Sequence, residues 1–346
     1  MNSGRAPRRR YDQARDRLTH HYIQHAQAAS THLDPPGGPV PARFNDRDQA
    51  LEWFDAEREN LMATAHTTPQ AALHLSSALG SYLKWRRHLQ DHVVVNALAL
   101  DACTRLNDTR NKATVWNNLG GALLEFRRFD DALHALETAR DLHHQTGNTQ
   151  REATAWNNLG GALQDLRRFD DALHALETAR DLHQQTGNTN GEADAWNNLG
   201  TALQNLRRFD DALHAHQTAR NLHHQTGDTN GEATTWNNLG TAYRGLGRVD
   251  EAVVAGKQAA VMLAAERDWF RAGEAWGELA TTLTAAGADT AQVREAWEQS
   301  AQAYTEAGAD EEAAASREHA NSTESVEAQL PAVTDLPERD VASESG

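Results

Sequence analysis

Cysteine is almost absent from this chain, because Cys103 is the only one among 346 residues. A single thiol cannot form a disulfide within the chain, and no second sulfur exists for a cysteine-based zinc site. Long hydrophobic runs are lacking too: apolar runs such as Val93–Val95 and Val253–Ala255 are far too short for a bilayer. The amino terminus also lacks the apolar core of a signal peptide. We therefore expect a soluble, cytoplasmic protein.

Basic residues are in deficit, with 33 Lys and Arg against 49 Asp and Glu and a formal net charge of -16. This balance opposes attraction to phosphates and disfavours a nucleic-acid partner for the main body. Four arginines near the amino terminus are the exception: Arg5, Arg8, Arg9 and Arg10. They fit a solvated tail, with contact to nucleic acid or membrane as the alternative.

Motifs for catalysis are absent as well. No phosphate-binding loop of the form Gly-x-x-x-x-Gly-Lys-Ser/Thr occurs, since Gly256-Lys257 is followed by Gln258. Neither a Ser/His/acid triad nor a paired carboxylate site can be located, because the acids recur in caps and turns. We expect no enzymatic activity and no cofactor.

Tryptophan, by contrast, recurs at a constant spacing of 40 residues. The five positions are Trp116, Trp156, Trp196, Trp236 and Trp276, and the first four begin the words Trp-Asn-Asn-Leu-Gly. A second block, Arg-Arg-Phe-Asp-Asp-Ala-Leu-His-Ala, begins at Arg127, Arg167 and Arg207. Such a period indicates stacked copies of one supersecondary unit.

Each unit reads as two helices, A and B. In the copy from 149 to 187, helix A carries a stripe at i, i+3, i+4 and i+7, formed by Trp156, Leu159, Gly160 and Leu163. Thr149 and Glu152 have the spacing of a capping box at its start. Asp170 is the expected cap of helix B, and Gly187 is its expected left-handed stop. Small residues on both helices predict an antiparallel pair.

The order of these residues resembles the tetratricopeptide repeat (TPR) signature in a 40-residue form. The residues that carry the resemblance are Trp156, Leu159, Gly160, Leu163, Phe169, Ala172, Leu176 and Ala179. It covers residues 71–308 and is clearest over 111–250. The resemblance implies an all-α, right-handed superhelical solenoid of antiparallel helix pairs that binds a protein or peptide.

The segment before the repeats resembles a second family. Residues 50–61 and 75–89 are similar to the region just before the TPR repeats in bacterial NB-ARC/STAND-type regulators. The nucleotide-binding switch of that family is missing here, so nucleotide hydrolysis is not predicted. The alternative function is therefore the sensor arm of a split or truncated transcriptional or signalling regulator.

The chain is predicted to consist of a helical amino-terminal cap followed by tandem repeats. The cap contains helices at 11–31 and 46–66, joined by a Pro/Gly-rich turn at 35–41. In chain order we expect a disordered basic tail (1–10), an N-terminal helical cap region (11–70), a degenerate repeat (71–110), repeats at 111–150, 151–190 and 191–230, a repeat with a degenerate second helix (231–267), a looser repeat (268–308), a C-terminal capping helix (309–320) and a disordered acidic tail (321–346).

A polar stripe accompanies the core stripe of helix A, rotated by about 100°. Its members are Asn117, Asn118, Asn157, Asn158, Gln164, Asn197, Asn198, Gln204, Asn237, Asn238 and Arg244. An amide donates and accepts hydrogen bonds at once, so it pairs with a peptide group without demanding a particular side chain. In the resembling family this side of helix A lines a concave groove, which predicts a peptide-binding groove. The alternative is that these residues only solvate a surface or bond between neighbouring helices.

Histidine is abundant, with 18 residues, including the pairs His143-His144 and His223-His224. Repetition accounts for most of them, and neighbours on a helix point about 100° apart, so we expect no metal site. His216 differs because it occupies the apolar position held by Leu136 and Leu176. A partly exposed histidine is the plainer interpretation and a functional switch is the other; burial would lower its pKa.

Overall fold

The structure is a computed structural model that describes residues 5–33 and 43–327, and within these ranges it contains fifteen helices and no strand. In chain order they are α1 (Arg5–Leu33), α2 (Arg47–Ala65), α3 (Pro69–Trp85), α4 (Leu89–Leu106), α5 (Thr109–Glu125), α6 (Phe129–Gln145), α7 (Thr149–Asp165), α8 (Phe169–Thr186), α9 (Thr189–Asn205), α10 (Phe209–Thr226), α11 (Thr229–Gly245), α12 (Val249–Ala265), α13 (Trp269–Ala285), α14 (Thr290–Glu306) and α15 (Asp310–Glu327). The predicted all-α architecture of paired helices is confirmed.

The chain forms two compact units, residues 1–222 and 223–346. In the first unit, α1, α2 and α3 pack on one another around Phe54 and Tyr82, whose rings stack with centroids 4.6 Å apart. From α3 to α9 each helix then packs against the next one along the chain. Helix A of one repeat also contacts helix A of the following repeat, as α5 does with α7 and α7 with α9. This sequential packing is typical of a repeat solenoid.

The second unit continues the pattern of helix pairs from α11 to α15. Its core includes Ala260, Leu263 and Ala272, with Trp236 and Trp276 packed against them. A buried hydrogen bond from Ser300 Oγ to the Gly273 carbonyl, 2.8 Å long, joins α14 to α13.

Close approach of the two helices in the repeats from 111 to 230 depends on glycine. A Cβ on Gly160 would lie 2.5 Å from Leu176 Cγ, so only glycine admits this leucine between helices A and B. Trp156 packs nearby, with the Arg140 guanidinium of the preceding repeat 4.8 Å from its ring centroid. The repeated glycine therefore sets the distance between the two helices.

Two kinds of left-handed turn connect the helices. In the three repeats from 111 to 230, glycine adopts the positive φ after helix B, as Gly187 does at 68°, which confirms the predicted stop. After helix A, arginine adopts it, as Arg167 does at 58°. There Arg168 N donates to the Leu163 carbonyl (2.8 Å), which closes the helix end in the manner of a Schellman motif. In the repeat from 231, Gly247 takes this position with φ of 71°, where glycine has no Cβ penalty.

The predicted start of helix A was wrong by one residue. Asn148, and not Thr149, is the N-cap of α7, and its Oδ1 accepts from the Arg151 amide at 3.3 Å. Asparagine is preferred over threonine as a cap, and it comes first along the chain. Glu152 does not close a capping box with Thr149; its carboxylate lies 3.1 Å from His144 Nδ1.

The predicted cap of helix B was also wrong. Helix α8 begins at Phe169, and Arg168 is its N-cap without a side-chain hydrogen bond. Asp170 lies inside the first turn, because the left-handed Arg167 ends the preceding turn earlier than expected. Asp171 accepts from Arg168 Nε at 2.7 Å.

Both predicted tails differ from the structure where it describes them. Helix α1 begins at Arg5, so residues 5–10 are helical, in keeping with the good helix propensity of arginine and alanine. Helix α15 continues to Glu327, since no proline or glycine interrupts the chain from 310 to 327. Residues 1–4 and 328–346, and the predicted turn at 35–41, lie outside the described residues.

Candidate functional site

Three A helices of the first unit display partly exposed amides, which we call the amide face: Asn117, Asn118, Asn157, Asn158, Gln164, Asn197, Asn198 and Gln204. Each asparagine pair directly follows a core tryptophan, so one residue of rotation moves it from the core to the border of solvent. Successive A helices pack side by side, and this brings the predicted residues of neighbouring repeats together.

Hydrogen bonds join the pairs of successive repeats. Asn158 Nδ2 donates to Asn117 Oδ1, and Asn198 Nδ2 donates to Asn157 Oδ1, each at 3.1 Å. The bonds connect residues 41 positions apart, so the amide face forms a ladder across α5, α7 and α9. Bonding between neighbouring helices, the alternative left open by the sequence, does occur.

The ladder uses only part of the hydrogen-bonding capacity of these amides. Within the described residues, Asn157 Nδ2 and Asn158 Oδ1 have no hydrogen-bond partner. A side-chain amide has two N–H donors and one carbonyl acceptor, so each such pair retains donors and an acceptor for a ligand. Gln164 extends the face by donating from Nε2 to the Asn198 backbone carbonyl at 3.3 Å.

The second unit carries the remaining predicted residues on α11. Arg244 Nη1 donates to Thr282 Oγ1 of α13 at 3.2 Å. Asn237 and Arg244 line a shallow depression together with Glu278. Gly256 contributes to its floor, because this repeat has no side chain where Leu136 and Leu176 stand.

His216 is fully buried, so the expectation of a partly exposed side chain was wrong. Gly200 makes room for its ring, since a Cβ there would lie 2.5 Å from His216 Cε1. The predicted effect of burial holds, because desolvation lowers the pKa of His216 to about 3. Its Nδ1 lies 3.0 Å from Asn197 Oδ1, and its Nε2 has no partner among the described residues.

A second set of buried histidines was missed in the sequence. His143, His183 and His223 end successive B helices, and each is at most 2% exposed. Desolvation lowers the pKa of His143 to about 4, with a smaller contribution from Arg151, and burial also lowers the pKa of His183. The missed signal was a glycine eight residues later in two copies, because a Cβ on Gly191 would lie 2.4 Å from the His183 ring.

The caps that follow these histidines differ in chemistry. Asn188 Nδ2 lies 3.1 Å from His183 Nδ1, whereas Asp228 Oδ2 lies 3.2 Å from His223 Nδ1. The hydrogen bond with His223 lowers the pKa of Asp228. Within the described ranges, no group of three His, Cys, Asp or Glu side chains could hold a metal ion. Nor is any helix in the described part of the chain long and apolar enough to cross a membrane.

Comparison of sequences identifies the repeat. The tetratricopeptide repeat family model matches residues 151–202 and 191–265. None of the curated protein sequences matches the chain. The family match and the helix-pair architecture together support tetratricopeptide repeats in this part of the chain.

Solved structures share the fold at low sequence identity. A Rap protein complexed with Competence and Sporulation Factor matches with a TM-score of 0.59 and 15% identity, over 82% of this chain and 81% of that one. Aspartyl phosphate phosphatase F from Bacillus subtilis matches with a TM-score of 0.53 and 13% identity, over 90% and 82%. BtubC from P. vanneervenii matches with a TM-score of 0.51 and 21% identity, over 62% and 90%.

Proposed function

We propose that this TPR chain is a non-catalytic protein-interaction scaffold that binds an extended peptide or protein segment on the amide face of α5, α7 and α9. The observation that carries the proposal is the ladder in which Asn158 bonds Asn117 and Asn198 bonds Asn157, each pair keeping unused donors and an acceptor. Such groups match the alternating carbonyls and amides of a polypeptide backbone. Asn237, Asn238 and Arg244 are proposed to serve the same role in the second unit.

The fold of the neighbours agrees with this role. The Rap protein named above is complexed with Competence and Sporulation Factor, and its structure shares the fold of this chain. We propose a protein or peptide partner here as well, in a cytoplasmic setting. The net charge of -16 favours a partner other than nucleic acid.

The ladder determines which residues are substituted in the test. A 15-residue peptide is selected from a random displayed library on the wild-type chain, and its affinity is measured for the double variant Asn117→Ala, Asn157→Ala. Each lost hydrogen bond is worth ~1 kcal/mol, so we expect affinity to fall by roughly 10- to 30-fold. Asn197 is left intact, because alanine there would remove the acceptor of the buried His216.

The matched control is Asn221→Ala on α10, outside the amide face, where the exposed Asn221 side chain accepts from Arg220. We expect it to bind like the wild type. Circular dichroism and thermal melting of all variants exclude loss of structure as the cause. Wild-type affinity in the folded double variant would refute the amide face as the binding surface.

The regulatory alternative stays a prediction. It rests on the resemblance of residues 50–61 to NB-ARC-type regulators. The family match and the structural neighbours described above do not test this resemblance. An adjacent reading frame that encodes a nucleotide-binding switch and a winged helix would favour a sensor arm. An isolated gene would favour the stand-alone scaffold.

A further inference from the structure

One arginine in each of four successive repeats adopts a left-handed backbone conformation. These residues follow α3, α5, α7 and α9 with φ between 55° and 61°, and we call them the arginine row: Arg87, Arg127, Arg167 and Arg207. Glycine avoids the cost that a side chain adds to this conformation. Gly247 holds the equivalent position after α11, so glycine fits this turn. Backbone preference therefore does not account for the arginines.

The arginine row borders the amide face at the ends of α7 and α9. The Arg167 backbone amide donates to the Gln164 carbonyl, and the Arg207 backbone amide donates to the Gln204 carbonyl, each at 2.8 Å. Gln164 and Gln204 belong to the amide face, and both arginine side chains are exposed. A peptide that crosses the A helices on the amide face therefore passes beside both guanidinium groups.

Neither of these two guanidinium groups is neutralised by a side chain in the described part of the chain. Arg167 and Arg207 form no side-chain hydrogen bond or ion pair there. Each is followed by an arginine that does pair with an acid, in the ion pairs Arg168–Asp171 (2.6 Å) and Arg208–Asp211 (2.7 Å). The first acid of each following helix forms no ion pair with the arginine row either, and it lies where the helix dipole stabilises a carboxylate: Asp170 in α8 and Asp210 in α10.

Differences between the repeats explain why these two charges lack an acidic neighbour. Desolvation raises the pKa of Asp165 at the end of α7, and the nearby charge of Arg127 in the preceding repeat partly offsets this rise. The following repeats have Asn205 and Gly245 at the position of Asp165. The arginines after α7 and α9 therefore meet an uncharged residue where Arg127 meets a carboxylate.

We propose that Arg167 and Arg207 bind two acidic side chains of the peptide on the amide face, and that these side chains are three residues apart in the peptide. A guanidinium group donates two parallel hydrogen bonds to one carboxylate. Helices α7 and α9 pack side by side, which places their axes about 8 to 10 Å apart. Three residues of an extended peptide span about 10 Å. This inference rests on the proposed function, which supplies the peptide.

Two double variants with the same change in net charge test the inference. Arg167→Gln, Arg207→Gln removes the unpaired guanidinium groups, and Arg168→Gln, Arg208→Gln removes their paired neighbours. Glutamine keeps a side chain at the left-handed turn, so the backbone cost remains. Peptides of 15 residues selected on the wild-type chain should contain Asp or Glu pairs three residues apart more often than the unselected library does. Selection on the first variant should lose this enrichment.

Affinities of one selected acidic peptide provide the second measurement. The variant without the unpaired guanidinium groups should bind it about three- to tenfold more weakly at low salt, as expected for two exposed ion pairs. The difference should shrink in about 1 M salt, where the Debye length is only about 3 Å. Replacing the two acids of the peptide by Asn or Gln should abolish it. The variant without the paired arginines should stay within about twofold of the wild type, and thermal melting checks that both variants are folded.

The outcomes distinguish this inference from the proposed function. Wild-type affinity in Arg167→Gln, Arg207→Gln would overturn this inference alone, provided that the double variant at Asn117 and Asn157 binds weakly. Equal losses in the two arginine variants would also overturn it, because net charge would then account for the effect, and so would selected peptides without enriched acid pairs. If the asparagine variant binds normally and the first arginine variant binds weakly, the proposed function is refuted and the contact with the arginines is confirmed.

Discussion

At the scale of single residues, two adjacent glycines of α7 have opposite roles. A Cβ on Gly160 would lie 2.5 Å from Leu176 Cγ, whereas a Cβ on Gly161 would meet no atom within 4 Å. Both lie in the middle of a helix, where glycine is ~1 kcal/mol less favourable than alanine. The first is therefore required by packing, and the second is a local weakness of the helix.

Alanine at these two positions should have effects of opposite sign. We expect Gly160→Ala to lower the free energy of unfolding by ~1 to 3 kcal/mol, because overpacking exceeds the gain in helix propensity. Gly161→Ala should raise it by ~0.5 to 1 kcal/mol. Urea denaturation followed by circular dichroism measures both, and the neighbour serves as the control. A stabilising Gly160→Ala would show that α7 and α8 separate at little cost.

At the scale of helices, the ends are defined by left-handed residues of two types. Gly187 ends α8 with φ of 68° and open space around its missing Cβ. Arg167 follows α7 with φ of 58°. Arginine therefore adopts here a backbone conformation that only glycine adopts without an energetic cost. The two positions thus allow the backbone effect to be measured without a packing effect.

Substitutions at the two turns should have different effects on the free energy of unfolding. Gly187→Ala should lower the free energy of unfolding by ~1 kcal/mol, because alanine pays the left-handed penalty and meets no steric clash. Arg167→Gly should be neutral or raise it by a few tenths of a kcal/mol, since relief of that penalty offsets the greater freedom of the unfolded chain. Thermal melts of both variants measure these changes in stability. Equal losses in the two variants would contradict the role of φ.

At the scale of the whole molecule, buried histidines make the fold sensitive to acid. Desolvation lowers the pKa of His92 and of His143 to about 4 and that of His216 to about 3, all from an ordinary value of 6.5. Between these values the unfolded chain binds protons that the folded chain excludes. Stability contributed by the neutral rings is therefore present above about pH 6.5 and is lost as pH falls toward 4.

Removing one buried histidine ring should make the stability of the fold less dependent on pH. We expect the melting temperature of the wild type to fall from pH 6.5 to pH 4, and that of His216→Leu to fall less over the same range. His66 is exposed, so His66→Gln should behave like the wild type. Parallel curves for the wild type and His216→Leu would mean that His216 takes up a proton in the folded state without penalty.

The sequence by itself determined the repeat, the helix pairs and the positions of the amide face. These follow from local information: the 40-residue period, the i, i+3, i+4, i+7 stripe that begins at Trp156, and the one-residue step to the asparagines. Left-handed ends at glycine, such as Gly187, also follow from backbone preference alone. The sequence determined the ends of the helices less precisely, since Asn148 and Thr149 are both acceptable caps.

Only the tertiary structure decided how these elements use their polar groups. Asn158 bonds Asn117 across 41 positions, a link that no local pattern encodes. His216 is buried because Gly200 of the facing helix leaves room for its ring, and the missed His183 is buried against Gly191 in the same way. Burial and hydrogen bonding depend on the distance between helices, and packing of the whole repeat sets that distance.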